Sequence, residues 1–266
     1  MRHQTYNGMG VDVADINNDA KPNIMVLDML PQNNERRKTM IARADNENFA
    51  LRQKAGYVDE YMRNMLQLSQ GANAAGTTFF SGIAQLSGMN ATDWSWSVLL
   101  SGFDNDGWRD SYVTNGFAKN ITDLYFLSYN ADNNPFGTVP DKVKSTREML
   151  GKLKGIHVSN YIFRNNGHLE DVTEKWGLKN AFYSNGAAYA DLVVEGNSHS
   201  TEVVYGWIDA SLRLLLKGDG KGNFIPVPAQ KSGLFLSGDL KGLAMTYDKD
   251  LYSIVPGYSS QVRLLN

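Results

Sequence analysis

Short apolar runs, several alternating with polar residues, recur along the chain, and Gly, Asn and Asp stand between them. The clearest are Val11-Asp12-Val13, Ile24-Met25-Val26-Leu27, Met65-Leu66-Gln67-Leu68, Tyr161-Ile162-Phe163 and Leu212 to Leu216. A period near two, bounded by turn formers, predicts β-strands. Only two stretches read as helical. Residues 33–64 are rich in Arg, Lys, Glu, Asn and Ala; residues 118–154 include Lys142-Val143-Lys144 and Arg147-Glu148-Met149-Leu150. Both are polar and are expected outside the core.

The strands recur as a set. Gly10-x-x-x-Ala14-Asp15 leads through Ile16-Asn17-Asn18-Asp19 into Ile24 to Leu27. Ser97-x-x-x-Ser101-Gly102 leads through Phe103-Asp104-Asn105-Asp106-Gly107 into Tyr112-Val113. Gly186-x-x-x-Ala190-Asp191 runs directly into Leu192-Val193-Val194. The starts lie 87 and 89 residues apart, longer than a propeller blade of roughly 40–50 residues. Each of the first two units, however, contains one of the polar helical stretches, and without it the spacing is blade-like. Outer strands and turns follow at Leu66 to Gly71, Ile162 to Gly167 and Leu214 to Gly220, and a shorter fourth unit runs from Gly242-Leu243-Ala244-Met245 to Val262-Arg263-Leu264-Leu265. A small four-stranded sheet cannot bury its faces alone but is stable when stacked on its neighbours. The expected fold is all-β: one β-propeller-like domain of about four units, 5–89, 90–178, 179–236 and 237–266, with insertions at 33–64 and 118–154. If the ring is open, its sheet edges should promote self-association.

The chain has 266 residues, 42% of them apolar, which suits a globular core. Its 26 basic and 28 acidic residues nearly cancel, so the electrostatic footprint of a nucleic-acid binder is absent. There is no cysteine, which removes disulfides, thiolate nucleophiles and Cys-ligated metal sites and leaves the redox compartment open. No apolar run is long enough to span a bilayer, and Met1 to Tyr6 has no apolar signal region. Any export signal is expected to have been trimmed, unless the chain is a fragment.

Candidate chemistry concentrates in two loops. Asp15-x-Asn17-x-Asp19-x-Lys21-x-Asn23 places oxygen-bearing side chains at positions 1, 3, 5 and 9, with the Lys21 carbonyl at position 7. That alternation wraps a hard cation such as Ca²⁺, which takes six to eight oxygens. The second loop offers Asp104, Asp106 and Asp110 at positions 3, 5 and 9 and the Trp108 carbonyl at position 7, with Gly107 at the sharp turn. The competing reading is that Asp, Asn and Gly simply make turns; two copies in one register favour the metal. The first loop has neutral Asn at positions 3 and 9 and Ala20 at the turn, while the second has Gly102 at position 1.

Val13-Ala14-Asp15-Ile16-Asn17-Asn18-Asp19, Gly102-Phe103-Asp104-Asn105-Asp106-Gly107 and Asn185-Gly186-Ala187-Ala188-Tyr189-Ala190-Asp191 resemble FG-GAP/VCBS repeats. Asp28-Met29-Leu30-Pro31, Tyr61-Met62-Arg63-Asn64-Met65-Leu66-Gln67-Leu68 and Thr92-Asp93-Trp94-Ser95-Trp96 are similar to segments of bacterial repeat proteins related to cartilage acidic protein, common in Bacteroidetes. Gly218-Asp219-Gly220-Lys221-Gly222-Asn223-Phe224 resembles a later repeat of the same proteins. The resemblance implies an integrin-like propeller, calcium in the inter-strand loops, an extracellular or cell-surface location and no catalytic residues. After Asp191, Leu192-Val193-Val194-Glu195 replaces the usual Asp-Asn-Asp-Gly loop, so the chain reads as an internally shortened member.

Other motifs are weak. Gly218-x-Gly220-x-Gly222 follows a strand, but Phe224-Ile225-Pro226-Val227-Pro228 cannot open the helix a dinucleotide fingerprint needs, so a hairpin turn is expected. His3, His157, His168 and His199 show no ligand spacing, and no G-x-S-x-G or P-loop occurs. Trp94 and Trp96 are expected in the core, on one strand face. Asn90-Ala91-Thr92 and Asn120-Ile121-Thr122 match the glycosylation sequon, a common chance match. The expected function is a non-enzymatic calcium-binding module that engages a protein or glycan partner through loops on one face. The alternative is an accessory or catalytic domain of a secreted polysaccharide-processing system.

Overall fold

The structure, a computed structural model, describes residues 3–40, 46–117, 119–120, 122–126, 128, 138, 141, 144–145, 148, 151–153, 155–156, 158–178, 184, 186–189, 192–196, 214–234, 240–248 and 251–258. It is mostly β-sheet with few helices. Among the described residues, three antiparallel four-stranded sheets each take their strands in chain order. Strands β1 (His3–Thr5) and β4 (Asp59–Tyr61) form a separate parallel pair. The first sheet joins β2 (Val11–Ala14), β3 (Asn23–Val26), β5 (Met65–Ala72) and β6 (Thr78–Gly82). The second joins β7 (Ser95–Ser101), β8 (Asp110–Asn115), β9 (Tyr161–Asn165) and β10 (Leu169–Asp171). The third joins β11 (Gly186–Tyr189), β12 (Leu192–Gly196), β13 (Leu214–Gly218) and β14 (Phe224–Val227). A last hairpin, β15 (Leu240–Asp248) and β16 (Leu251–Tyr258), has two strands. It occupies part of the expected fourth unit; residues 259–266, which hold the expected strand at Val262 to Leu265, lie outside the described residues.

The leading strands lie side by side, β2 against β7, β7 against β11 and β11 against β15. This order puts the second sheet between its neighbours, and its inner strands meet an apolar cluster on each face. Val113 and Phe163 join a cluster with Met25, Leu27, Leu66 and Val98, while Tyr112 and Ile162, their neighbours in sequence, join one with Phe103, Trp176, Leu216 and Phe224. Every residue of β8 is therefore buried, and simple inside–outside alternation disappears there. Each fully buried side chain of this size contributes roughly 1.5–3 kcal/mol.

The junction of the first two sheets is close at Gly10, where a Cβ would stand 2.4 Å from the Trp96 carbonyl oxygen. Backbone, not a flexible side chain, sets that limit. Gly10→Ala must push β2 away from β7, and a loss of about 1–3 kcal/mol is expected from overpacking. The shift in urea midpoint at unchanged m-value measures it.

The first polar insertion is less helical than residues 33–64 suggest. It contains α1 (Asn34–Thr39) and α2 (Asn46–Lys54), then becomes extended as β4, which pairs with β1. Asn33 caps α1, its side chain accepting the Arg36 N–H at 2.9 Å. Neither helix buries a residue, as polar sequences on this scale require. Gln53 bonds Asp59 at 3.0 Å and Arg52 pairs with Glu60, fastening α2 to β4. Most of the second insertion, 118–154, lies outside the described residues; those described at 124–126, 128, 141, 144–145, 148 and 151–152 are helical. The two insertions meet through an antiparallel bridge between Met40 and Asp123. Among the described residues, no helix is long and apolar enough to cross a membrane.

Candidate functional site

The two acidic loops adopt one conformation. Each connects the first and second strands of its sheet, and each places two residues in the left-handed region at matching positions: Asn18 (φ 55°) and Ala20 (φ 62°) in the first, Asn105 (φ 58°) and Gly107 (φ 92°) in the second. Ala20 carries a Cβ where the second loop has glycine, a strain that its loop must hold in place. The second residue of each loop, Ile16 or Phe103, plugs into the core. The loops are also neighbours: Asn18 Nδ2 donates to the Gly107 carbonyl at 3.3 Å, and Asn165 Nδ2 donates to the carbonyls of Ile16 and Arg109 at 2.6 and 3.1 Å. The β13–β14 hairpin turn, as expected from Gly218 to Gly222, lies beside them; a Cβ at Gly220 would stand 3.1 Å from Asn105 Nδ2.

The ninth position has the same structural role in both loops. Asn23 and Asp110 open the second strand, are fully buried, and accept a backbone N–H from the third strand, Ser69 at 2.8 Å and Asn165 at 2.8 Å. Asp110 accepts a second N–H, from Phe103 at 2.9 Å. Burial pushes the Asp110 carboxyl up to about 6, against those two hydrogen bonds and with help from the charges of Asp104 and Asp106.

Charge balance differs between the loops. In the first, Asp15 accepts the N–H groups of Asp19 (3.2 Å) and Ala20 (2.7 Å), Asn17 Oδ1 accepts from Asn23 Nδ2 at 3.0 Å, and Asp19 pairs with Lys21 Nζ at 3.0 Å. That hydrogen bond to the Lys21 ammonium holds Asp19 below the usual carboxylate range. In the second, Arg164 from β9 spans both acids, Nε to Asp104 at 2.7 Å and an Nη to Asp106 at 3.0 Å. The hydrogen bond to Asp104, then its charge, raises the Arg164 guanidinium further.

The two donor sets fit calcium unequally. Asp15, Asn17, Asp19, Asn23 and the Lys21 carbonyl form an all-oxygen set of the kind calcium takes; its one competing cation is an exposed lysine of the same loop, and calcium there must share or displace the N–H groups that Asp15, Asn17 and Asn23 now accept. The second set differs in already holding a cation of the fold: Asp104 and Asp106 bind Arg164, Gly102 offers no side chain at position 1, and Asp110, like Asp15, has both oxygens on backbone N–H groups. A Cβ at Gly102 would lie 3.1 Å from the Trp108 carbonyl oxygen, so the loop closes tightly there. Among the described residues, no three His, Cys, Asp or Glu side chains are grouped so as to hold a metal ion. Asp191 lies outside the described residues.

A second feature was not foreseen from sequence. Gln32, Arg36, Asp93, Asp123, Tyr125 and Tyr161 are among the residues lining an open polar cleft of about 1280 Å³ between the two insertions and the second sheet. Arg36, partly buried, and Asp93, buried, form an ion pair at 2.8 Å; burial pushes the guanidinium down and the carboxyl up, and each charge opposes the other's shift. Tyr161 donates to Gln32 at 3.2 Å, and burial, followed by the charges of Asp93 and Asp171, pushes its phenol up to about 12. It is therefore a neutral hydrogen-bonding group at pH 7. Tyr125 stands 78% exposed at the rim, a ring available to stack on a ligand. Trp94 and Trp96 point elsewhere, both packing on Phe117.

Sequence reasoning also missed two buried asparagines that precede the third strands. Asn64 accepts the Asp28 N–H at 2.8 Å and donates to Met89 O at 2.9 Å and Thr92 Oγ1 at 2.6 Å; Asn160 accepts the Asn115 N–H at 2.8 Å and donates to Tyr112 Oη at 3.1 Å and Ser184 Oγ at 3.4 Å. Each ties the end of a second strand to the segment leading into the next sheet. Their shared place before β5 and β9 was the available signal. Compared with protein-family models and with curated proteins, the chain matches none.

Proposed function

We propose that this chain is a calcium-stabilised interaction module of the FG-GAP/VCBS β-propeller type, working outside the cell or on its surface and without catalysis of its own. The observation that carries this reading is the pair of inter-strand loops with matched left-handed residues, each at the same point of an antiparallel four-stranded sheet. The side-by-side leading strands support a radial arrangement of sheets about one axis. Val11 and Val13 are 64% and 53% exposed on β2, on the face opposite Asp12, which bonds Leu100 of β7; an uncovered apolar face of the first sheet suits an open arc and self-association. The partner, a protein or a glycan, is assigned to the cleft between the insertions, where loops carry recognition.

Calcium in this reading occupies the first loop, through Asp15, Asn17, Asp19, Asn23 and the Lys21 carbonyl, and supplies charge neutralisation for the turn. With two carboxylates, affinity falls in the weak extracellular range, roughly 10⁻⁴ to 10⁻³ M. At tenfold excess over Kd, binding adds about 1.4 kcal/mol, a rise of about 3–5 °C in Tm. Melting in chelator and in millimolar calcium tests this. The rise should vanish in Asp19→Ala, and identical curves for the parent chain would leave the first loop as an ordinary turn.

A further inference from the structure

Resting on that reading of the loops, we propose that Arg164 is the resident cation of the second loop, a guanidinium held where its counterpart takes calcium. Asp104 and Asp106, the acids at positions 3 and 5, have 7% and 24% of their side chains exposed, and Arg164 bridges them at 2.7 and 3.0 Å. Two carboxylates this close need a counter-charge, and the planar fork of arginine meets two of them at once where lysine meets one. The register explains why the first loop lacks such a lock. Ser69 and Asn165 donate to the matching ninth positions, so Arg164 corresponds to Leu68, and Leu68 packs against the core. Among the described residues, no third-strand cation reaches the first loop; Lys21, 44% exposed, makes the pair there. The chain thus carries one loop that takes its cation from solution and one that takes it from its own fold.

The test compares Tm and bound calcium per chain, in chelator and in millimolar calcium, for the parent chain, Arg164→Gln and Arg164→Gln with Asp104→Asn and Asp106→Asn. Arg164→Gln should melt several degrees lower in chelator, regain most of the loss in calcium, and bind one calcium more than the parent. The triple variant, with no acids to neutralise, should show only the parent's calcium shift. Arg164→Lys, the milder change should Arg164→Gln not fold, should give a partial version of the same gain. An unchanged calcium shift and count in Arg164→Gln, or in Arg164→Lys if only that folds, overturns the proposal. That result leaves the first loop's calcium standing, whereas a parent chain without any calcium response, alongside a gain in Arg164→Gln, removes the first loop's reading and keeps this one.

Discussion

Asn64→Ala is expected to cost about 3–4 kcal/mol, the largest effect of any single substitution considered. The residue is fully buried, and its amide makes three hydrogen bonds, to Asp28 N, Met89 O and Thr92 Oγ1. Truncation leaves a backbone N–H, a carbonyl and a hydroxyl in a dry site, at about 1–3 kcal/mol for each group left unsatisfied, reduced where Thr92 retains its contact with Ser95 at 2.7 Å. Urea denaturation reads the loss. Because Thr92 belongs to the segment leading into the second sheet, hydrogen exchange should also accelerate along β7 more than along β6. Equal acceleration in both would mean that Asn64 serves its own sheet only.

Asp110→Ala should cost about 2–4 kcal/mol, and the cost should depend on pH. The substitution strands the N–H groups of Phe103 and Asn165, the first closing the loop and the second holding β9 to β8. The folded-state value of about 6 stands above the ordinary 3.8, so the folded protein binds a proton that the unfolded chain has released. This contribution is fully present below about pH 4 and is lost as pH rises through about 6, a change on the order of 3 kcal/mol. The parent chain should therefore gain stability between pH 7 and pH 5, while Asp110→Ala should lack that gain. The difference between the two is then larger at pH 5. A difference independent of pH would show that Asp110 ionises freely in the folded state.

The strands written as short apolar runs were legible in the sequence. Ile24 to Leu27, Met65 to Leu68 and Tyr161 to Phe163 all lie in or directly beside strands, because a short apolar run bounded by turn formers suffices to specify a strand that buries its side chains. The loop at Asp15 and its match at Asp104 were visible as composition, and their common backbone shape follows from Asn18 and Asn105, residues that tolerate positive φ. Ala20 gave no such signal, since its strained conformation comes from the loop closing around Asp15.

What escaped was long-range pairing. Arg164 lies 60 residues from Asp104 in sequence, and on an alternating strand an arginine reads as a solvent-facing residue. Asn64 and Asn160 read as turn formers, although burial makes them the links between sheets. Composition alone overextends helix through residues 55–64, because Asp59-Glu60-Tyr61 is as polar as the helices before it; pairing with β1 decides its state. The cleft joins Arg36, Asp93 and Tyr161 from three separate segments, and no local pattern announces it.

The most direct test of a calcium-stabilised radial β-sheet module is a crystal structure grown in millimolar calcium. The account predicts β2, β7, β11 and β15 arranged in succession about one axis, an ion bound among Asp15, Asn17 and Asp19, and Arg164 still lodged between Asp104 and Asp106. Sheets stacked as a flat sandwich, with no ion in the loop from Asp15 to Asn23, would contradict it.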